Sequence, residues 1–132
     1  MLQAGLQKQD MMMTDKREIL VEISDHIATV TINRPQVMNA LNYPAYDALE
    51  QAFRDLQKDS NVRCIIITGA GDRAFCAGDD VKQIMSKINT DKGASSRLRS
   101  VRPGTTPAAK AILDCDRPII AAINGVAVGW GM

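Results

Sequence analysis

Two stretches of the sequence have the composition of a site that stabilises negative charge. "IIITGAGDRAFCAGDD" and "IIAAINGVAVGWGM" each lead from an apolar run into a glycine-rich turn and then toward an expected helix start. The first N–H groups of a helix have no partner within it, and the helix dipole is positive there. Two such ends at one point would bind a carbonyl oxygen that becomes an oxyanion. Glycines also simply permit tight turns, so it is the repetition that favours a site.

The first stretch also fits a second interpretation, dinucleotide binding. Residues 69–74 read G-x-G-x-x-A after a strand, and Asp91 follows about 20 residues later, as in the dinucleotide-binding fingerprint. That fingerprint requires a helix that begins inside the motif and runs on. Here "FCAGDD" interrupts it with a second turn, and Asp91 lies in an expected loop. The sequence therefore favours the oxyanion interpretation.

Histidine catalysis and metal binding have little support in the sequence. His26 is the single histidine, and its surroundings, "SDHI", predict an exposed turn. The cysteines are three, Cys64, Cys76 and Cys115, and they show no C-x-x-C spacing. We therefore expect no metal site and no disulfide framework, and we interpret the cysteines as small buried apolar residues.

A β-hairpin and an amphipathic helix are predicted to precede the glycine turns. Apolar residues alternate on both sides of an expected Ser24–Asp25 turn. In the following helix, apolar residues from Ala45 to Leu56 share one face, Asn42 is the expected N-cap, and Pro44 is tolerated in the first turn. The alternating residues of the hairpin are Ile19, Val21, Ile23, Ala28, Val30 and Ile32.

Buried strands are predicted to lead into the two glycine turns. "VRCIIITG" has the continuous β-branched character of a strand buried on both faces in a parallel sheet, and "RPIIAAI" predicts another buried strand. Between them we expect a helix from Asp80 to Ile88, a mobile basic loop at 89–107 and a short helix at "AAKAILD". Strands that alternate with helices predict an α/β fold of parallel units. The apolar stripe of the Asp80–Ile88 helix comprises Val81, Ile84, Met85 and Ile88.

Composition excludes several classes of protein. The 132 residues suffice for one folded domain, and a net charge of +1 gives no reason to expect binding to nucleic acid or to an anionic membrane. No apolar run approaches the roughly 18 residues of a membrane span. Residues 1–16 have the polar, aperiodic character of a disordered leader without a signal sequence, and residues 17–132 are expected to fold.

Three blocks, "NRPQVMNAL", "AFCAGDDVK" and "RPIIAAINGVAVGWG", resemble in order and spacing those of the crotonase superfamily, the enoyl-CoA hydratase/isomerase family. The resemblance extends from about Glu18 to the last residue. It implies an α/β fold, a spiral of ββα units, in a cytoplasmic homo-oligomer (a trimer or hexamer). It also implies that acyl-CoA thioesters are the substrates, with no separate cofactor and no metal.

The resemblance also implies particular site residues. The two oxyanion-hole donors would be the backbone N–H groups of Asp79 and Trp130. Residues 97–102, rich in arginine, would either contact the CoA phosphates or form a solvated loop. The implied lining of the CoA channel comprises Gln36, Val37, Met38, Ala77, Gly78, Asp79, Asp80, Val81 and Lys82.

The sequence departs from the family pattern at three points. Asp79 stands where a small or apolar residue is common, and a carboxylate turned inward would repel an enolate. Trp130 replaces the middle glycine of a triplet, and its bulk would reshape the acyl pocket. The catalytic glutamates of hydratases follow that triplet, beyond Met132, so the chain is expected to be an N-terminal fragment that carries the oxyanion hole without the acid/base residues.

The function favoured by the resemblance is hydration of 2-enoyl-CoA in the full-length parent. Isomerase, thioester hydrolase and dehalogenase relatives share every feature named above, so these reactions stay open. A non-catalytic binding or oligomerisation protein with the same fold is a further alternative.

Overall fold

The computed structural model describes residues 17–88 and 106–132, without the side chains of residues 87 and 88. The predicted leader and residues 89–105 of the predicted 89–107 loop, Asp91 included, lie outside the described residues, whereas Thr106 and Pro107 begin a helix. The described elements are, in chain order, β1 (Ile19–Ser24), β2 (Ile27–Ile32), α1 (Tyr43–Lys58), β3 (Cys64–Gly69), β4 (Ala74–Cys76), α2 (Val81–Ile88), α3 (Pro107–Leu113), β5 (Ile119–Ala122) and β6 (Val126–Ala127). Short 3-10 turns lie at Pro35–Val37 and Gly129–Gly131.

The described residues form two sheets. A four-stranded sheet has the order β1-β2-β3-β5, in which β1 is antiparallel to β2 and the other neighbours are parallel. A second sheet pairs β4 with β6 in parallel. The β3–β4 and β5–β6 passages therefore run side by side, and each contributes one strand to each sheet. The doubling that the sequence pattern indicates is present, but the pattern predicts strand, turn and helix, and it does not predict the short strands β4 and β6.

The predicted hairpin is confirmed, but its turn is displaced by one residue. Asp25 and His26 have positive φ angles of 50° and 66°, and Ser24 remains in β1. Ala28, Val30 and Ile32 of β2 are fully buried. The alternation predicted for β1 is wrong, because Ile19 and the adjacent Leu20 are buried and the other four residues of the strand are exposed.

The amphipathic helix α1 agrees with its prediction. The Asn42 side chain accepts a hydrogen bond from the Ala45 N–H at 2.9 Å and thereby caps the helix, and Pro44 lies in the first turn. The core lies between the four-stranded sheet and the helices α1 and α3. Its α1 members are Ala45, Leu49, Phe53 and Leu56.

Burial on both faces is wrong for the predicted central strands. Residues of β3 alternate between buried and half-buried, and Ile120 in β5 is 55% exposed. The stripe of α2 is also uncovered, since Val81 and Met85 are exposed. The physical reason is that the core covers one side of the sheet only, and no described element packs on the other side of β5.

The dinucleotide interpretation is wrong as well. After Gly71 the chain enters the strand β4, and no helix begins within the motif. The geometry that would place a pyrophosphate at a helix N-terminus is therefore missing from residues 69–76.

In the part of the chain that the structure describes, no helix is long and apolar enough to cross a bilayer.

Candidate active site

The two glycine turns meet at Gly78 and Gly129. Gly78 has φ +89°, and a Cβ built on it would lie 3.1 Å from the Val128 carbonyl oxygen and 3.7 Å from the Trp130 nitrogen. Gly129 has φ +58°, and its own Cβ would lie 3.5 Å from the Gly78 Cα. Backbone therefore packs on backbone here, and the Trp130 N–H lies beside the peptide that joins Gly78 to Asp79.

Two N–H groups at this contact have no protein acceptor among the described residues. Asp80 donates to the Leu41 carbonyl at 2.8 Å and Gly131 to that of Val128 at 3.0 Å. The residues that precede these two donors are Asp79 and Trp130. Their N–H groups donate no hydrogen bond to any described residue. Unpaired donors next to one another can bind a carbonyl oxygen and gain strength as it becomes an oxyanion.

The loop after β2 fixes the first donor in place. Leu41 donates to the Gly78 carbonyl at 2.7 Å and accepts from Asp80, while the Met38 carbonyl accepts from the Ala77 N–H at 3.1 Å. These three bonds bracket Asp79 on both sides, and Leu41 and Asp79 form an isolated parallel bridge. The Asp79 N–H is thus held by the backbone on either side of it.

Two asparagines that the sequence analysis did not single out support the glycine turns. The buried Asn39 side chain donates to the carbonyls of Ala70 at 3.0 Å and Ala74 at 2.8 Å. The Asn124 side chain donates to the carbonyls of Gly69 at 2.7 Å and Gly71 at 2.8 Å. The sequence carries only a weak signal for both, since each asparagine stands among turn residues.

Asp80, the residue that follows the first donor, forms a buried ion pair with Arg34. Arg34 is 3% exposed, and its Nη2 lies 3.0 Å from the Asp80 Oδ2. Its Nη1 donates to the Ala40 carbonyl, and its Nε lies 3.5 Å from the Glu18 Oε1. The other Asp80 oxygen accepts from the Gln83 N–H at 3.2 Å and so caps α2. The Asp80 side chain therefore links the Arg34 loop to α2.

Asp79 and Trp130 share a contact through Tyr46. The Tyr46 hydroxyl donates to the Asp79 Oδ1 at 2.5 Å, and its ring meets the Trp130 ring edge-on, with centroids 5.7 Å apart and an interplanar angle of 82°. Burial, together with the bond to Asp79, raises the pKa of Tyr46 well above its ordinary value. The hydroxyl therefore keeps its proton and acts as a donor.

The indole of Trp130 extends toward α3. Its Nε1 donates to the Thr106 Oγ1 at 3.1 Å, and the same Thr106 oxygen accepts from the Ala109 N–H and caps α3. The ring is half-buried and packs against the core. Its bulk is therefore accommodated between α1 and α3.

The remaining predicted lining residues lie on two segments that the Met38–Ala77 bond brings together. In the first segment Gln36 is exposed, and Val37 and Met38 are half-buried. In the second, Ala77 is half-buried, and Val81 and Lys82 are exposed in the first turn of α2. The arginines at 97–102 lie outside the described residues.

Alternative chemistries find no support around this contact. Cys76 is buried near Gly78, and burial raises the pKa of its thiol, so it is a poor nucleophile. His26 is an exposed turn residue whose Nδ1 lies 2.8 Å from the Asn61 carbonyl oxygen. Within residues 17–88 and 106–132, no group of three histidine, cysteine, aspartate or glutamate side chains could hold a metal ion.

Comparisons with known proteins identify the family. The family model for enoyl-CoA hydratase/isomerase matches residues 22–132. An (E)-benzylidenesuccinyl-CoA hydratase of Thauera aromatica is 39% identical over 114 residues, which are 86% of this chain and 42% of that protein. A 1,2-epoxyphenylacetyl-CoA isomerase of Escherichia coli is 32% identical over 113 residues, again 86% of this chain and 42% of that protein.

Solved structures agree with the sequence comparison. The crystal structure of an enoyl-CoA hydratase from Mycobacterium marinum superposes with a TM-score of 0.74 at 34% identity, over 86% of this chain and 51% of that one. An enoyl-CoA hydratase/carnithine racemase from Magnetospirillum magneticum gives a TM-score of 0.75 at 33% identity, over 89% and 42%. The chain spans about two fifths of the length of the curated relatives it matches.

Proposed function

Since this chain belongs to the enoyl-CoA hydratase/isomerase family and has its crotonase fold, we propose that it binds acyl-CoA thioesters and polarises the thioester carbonyl between the N–H groups of Asp79 and Trp130. One observation carries the proposal. The Asp79 and Trp130 N–H groups have no acceptor among the described residues. They lie close together, since a Cβ on Gly78 would be 3.7 Å from the Trp130 nitrogen.

The chemistry follows from the charge that develops on the thioester oxygen. When a nucleophile or a base attacks an enoyl thioester, electrons move onto the carbonyl oxygen and an enolate forms. Fixed backbone donors stabilise this charge without reorganising, and removal of one such donor typically costs about 10²- to 10³-fold in rate. The same donors would serve hydration, double-bond shift and thioester hydrolysis.

The proposed substrate channel follows the two segments that flank the donors. Residues 36–38 and 77–82 would line the path of the CoA moiety, with Lys82 exposed at the first turn of α2. CoA would enter as part of the substrate, and the proposal requires no separate cofactor. The Asp80 carboxylate would act on this channel indirectly, since it holds Arg34 and the α2 N-terminus.

For the whole protein we propose hydration of 2-enoyl-CoA in fatty acid metabolism, by a trimer or hexamer in the cytoplasm. The names of the hydratase relatives support this reaction, and the isomerase relative keeps a double-bond shift as the alternative. The acid/base residues would come from parts of the protein outside this chain.

The test is infrared spectroscopy of crotonyl-CoA that carries an isotope label at the thioester carbonyl. On binding to the purified chain, the labelled stretch should move to lower frequency, because two N–H donors withdraw electron density from the C=O bond. An unlabelled titration gives the Kd. Binding without a shift, or no binding at all, would contradict the proposal. Formation of 3-hydroxybutyryl-CoA by the whole protein would then separate hydration from isomerisation.

A further inference from the structure

The Asp79 carboxylate belongs to the same residue as the first proposed oxyanion donor. An oxygen bound at the Asp79 N–H would therefore lie within a few ångströms of that carboxylate whenever the side chain turned toward it. Two negative charges at this separation repel one another appreciably even near a protein surface. Asp79 is exposed, so packing alone leaves its side chain free to turn.

The Tyr46 hydroxyl restrains this side chain. The O–H···O distance of 2.5 Å is at the short end of the range for a hydroxyl bound to a charged oxygen. Tyr46 is itself well anchored, because its N–H donates to the Asn42 carbonyl at 3.0 Å in the first turn of α1 and its ring packs on Trp130. A rigid donor therefore fixes the direction of a carboxylate that would otherwise be mobile.

We propose that Tyr46 is a positioning residue, which holds the Asp79 carboxylate against α1 and away from the oxyanion bound at the backbone of Asp79 and Trp130. The inference rests on the proposed function. It explains how a negative residue can occupy a position next to an oxyanion donor. Tyr46 acts through Asp79 and needs no contact with the substrate.

Removal of one oxygen atom tests the inference. Tyr46→Phe keeps the ring against Trp130 and releases the carboxylate, so the labelled carbonyl stretch of bound crotonyl-CoA should return toward the frequency of the free thioester, with little change in Kd. Tyr43→Phe makes the same chemical change three residues earlier in α1 and should leave the shift at its original value. Equal spectra for Tyr46→Phe and the unsubstituted protein would overturn the inference.

A second variant makes the test independent of the folding of Tyr46→Phe. Asp79→Asn keeps the backbone donor and removes the charge, so the carbonyl stretch should move further from the free frequency. On the Asp79→Asn background, Tyr46→Phe should have no further effect. A weaker shift in Asp79→Asn, or a full Tyr46→Phe effect in the absence of the charge, would refute the positioning role. Absence of any shift in the unsubstituted protein would contradict the proposed function itself and the inference with it.

Discussion

At the scale of single residues, the site depends on glycine at position 78, which has no Cβ. The positive φ at this residue is unfavourable for any residue with a Cβ, and the neighbouring passage leaves a Cβ only 3.1 Å from the Val128 carbonyl oxygen. Two separate constraints therefore select glycine. One is a property of the local backbone, and the other belongs to the contact between the two passages.

A pair of alanine variants separates these constraints. Gly71 also has a positive φ, of 79°, but a Cβ there would meet only the Pro35 Cβ at 3.6 Å. We expect Gly71→Ala and Gly78→Ala each to lose about 1–2 kcal/mol of unfolding free energy to backbone strain. Gly78→Ala should in addition reduce the carbonyl shift of bound crotonyl-CoA, because its Cβ would press on the Val128 carbonyl oxygen at 3.1 Å, two residues before Trp130. Urea unfolding and infrared titration measure the two effects, and equal shifts in both variants would show that close approach at Gly78 is unimportant.

The raised pKa of Tyr46 predicts a dependence of stability on alkaline pH. Burial first, and the hydrogen bond to Asp79 second, raise the pKa of Tyr46 in the folded protein. The unfolded chain loses this proton near pH 10, at about the ordinary tyrosine pKa. The stabilising contribution is therefore complete below about pH 10 and is lost as the pH rises toward the folded pKa.

Unfolding free energies from urea titrations across this pH range provide the measurement. Above about pH 10, the unsubstituted protein should lose stability more steeply than Tyr46→Phe. Cys76, whose pKa burial also raises, contributes in the same direction in both proteins and cancels in the comparison. Parallel curves for Tyr46→Phe and the unsubstituted protein would contradict the prediction. The Tyr43→Phe variant controls for loss of a tyrosine hydroxyl elsewhere in α1.

At the scale of elements, the segment between β2 and α1, residues 33–42, holds the β4–α2 turn in position. Its backbone brackets Asp79 through Met38 and Leu41, and its Arg34 side chain pairs with Asp80 at the start of α2. The guanidinium also bonds the Ala40 carbonyl within its own loop. The ion pair is therefore one side-chain link between this segment and α2, and a second is the hydrogen bond that the Asn42 Nδ2 donates to the Gln83 Oε1 at 2.7 Å.

Breaking this buried pair from one side should be costly. Arg34→Met leaves the Asp80 carboxylate buried without its cation, and the loss is expected to be about 3–5 kcal/mol of unfolding free energy. Addition of Asp80→Asn should recover part of it, since a neutral amide oxygen can still cap α2. Arg54→Met breaks an exposed pair with Glu50 in α1 and should cost less than about 1 kcal/mol. Similar losses for the two arginine variants in urea unfolding would refute the structural role of Arg34.

For the molecule as a whole, the distribution of apolar surface is uneven. The core fills one side of the four-stranded sheet. The β5–β6 passage exposes Ile120 at 55%, Ile123 at 61% and Val126 at 45%. In the described structure β5 is also an edge strand. Exposed apolar residues along a sheet edge favour association between chains.

We therefore expect the 132-residue chain to self-associate when it is expressed alone. Size-exclusion chromatography with light scattering should find species larger than the 14.4 kDa monomer at micromolar concentration. Ile120→Lys places a charge on the exposed edge and should shift the distribution toward the monomer. Leu113→Lys, on α3 rather than on a strand, makes a matched apolar-to-charged change and should have a smaller effect. A monodisperse unsubstituted monomer would contradict the prediction.

The sequence by itself determined the hairpin, the capped helix α1, the doubled strand-turn passage and the family. These features depend on local periodicity, on cap and turn residues, and on ordered motifs, all of which can be read along the chain. The convergence of Gly78 with Trp130 was also anticipated, since parallel strands bring equivalent turns to the same edge.

Only the tertiary structure decided which polar groups meet and which apolar faces are covered. Arg34 and Asp80 are 46 residues apart, and Tyr46 and Asp79 are 33 apart. Neither pair has a local signal, because a short hydrogen bond depends on the packing of whole elements. Likewise, the apolar pattern of "RPIIAAI" predicts burial, but burial requires a covering element that a strand's own residues do not specify. The packing of whole elements therefore decided which side chains surround the site, and the local sequence decided the backbone conformation of its turns.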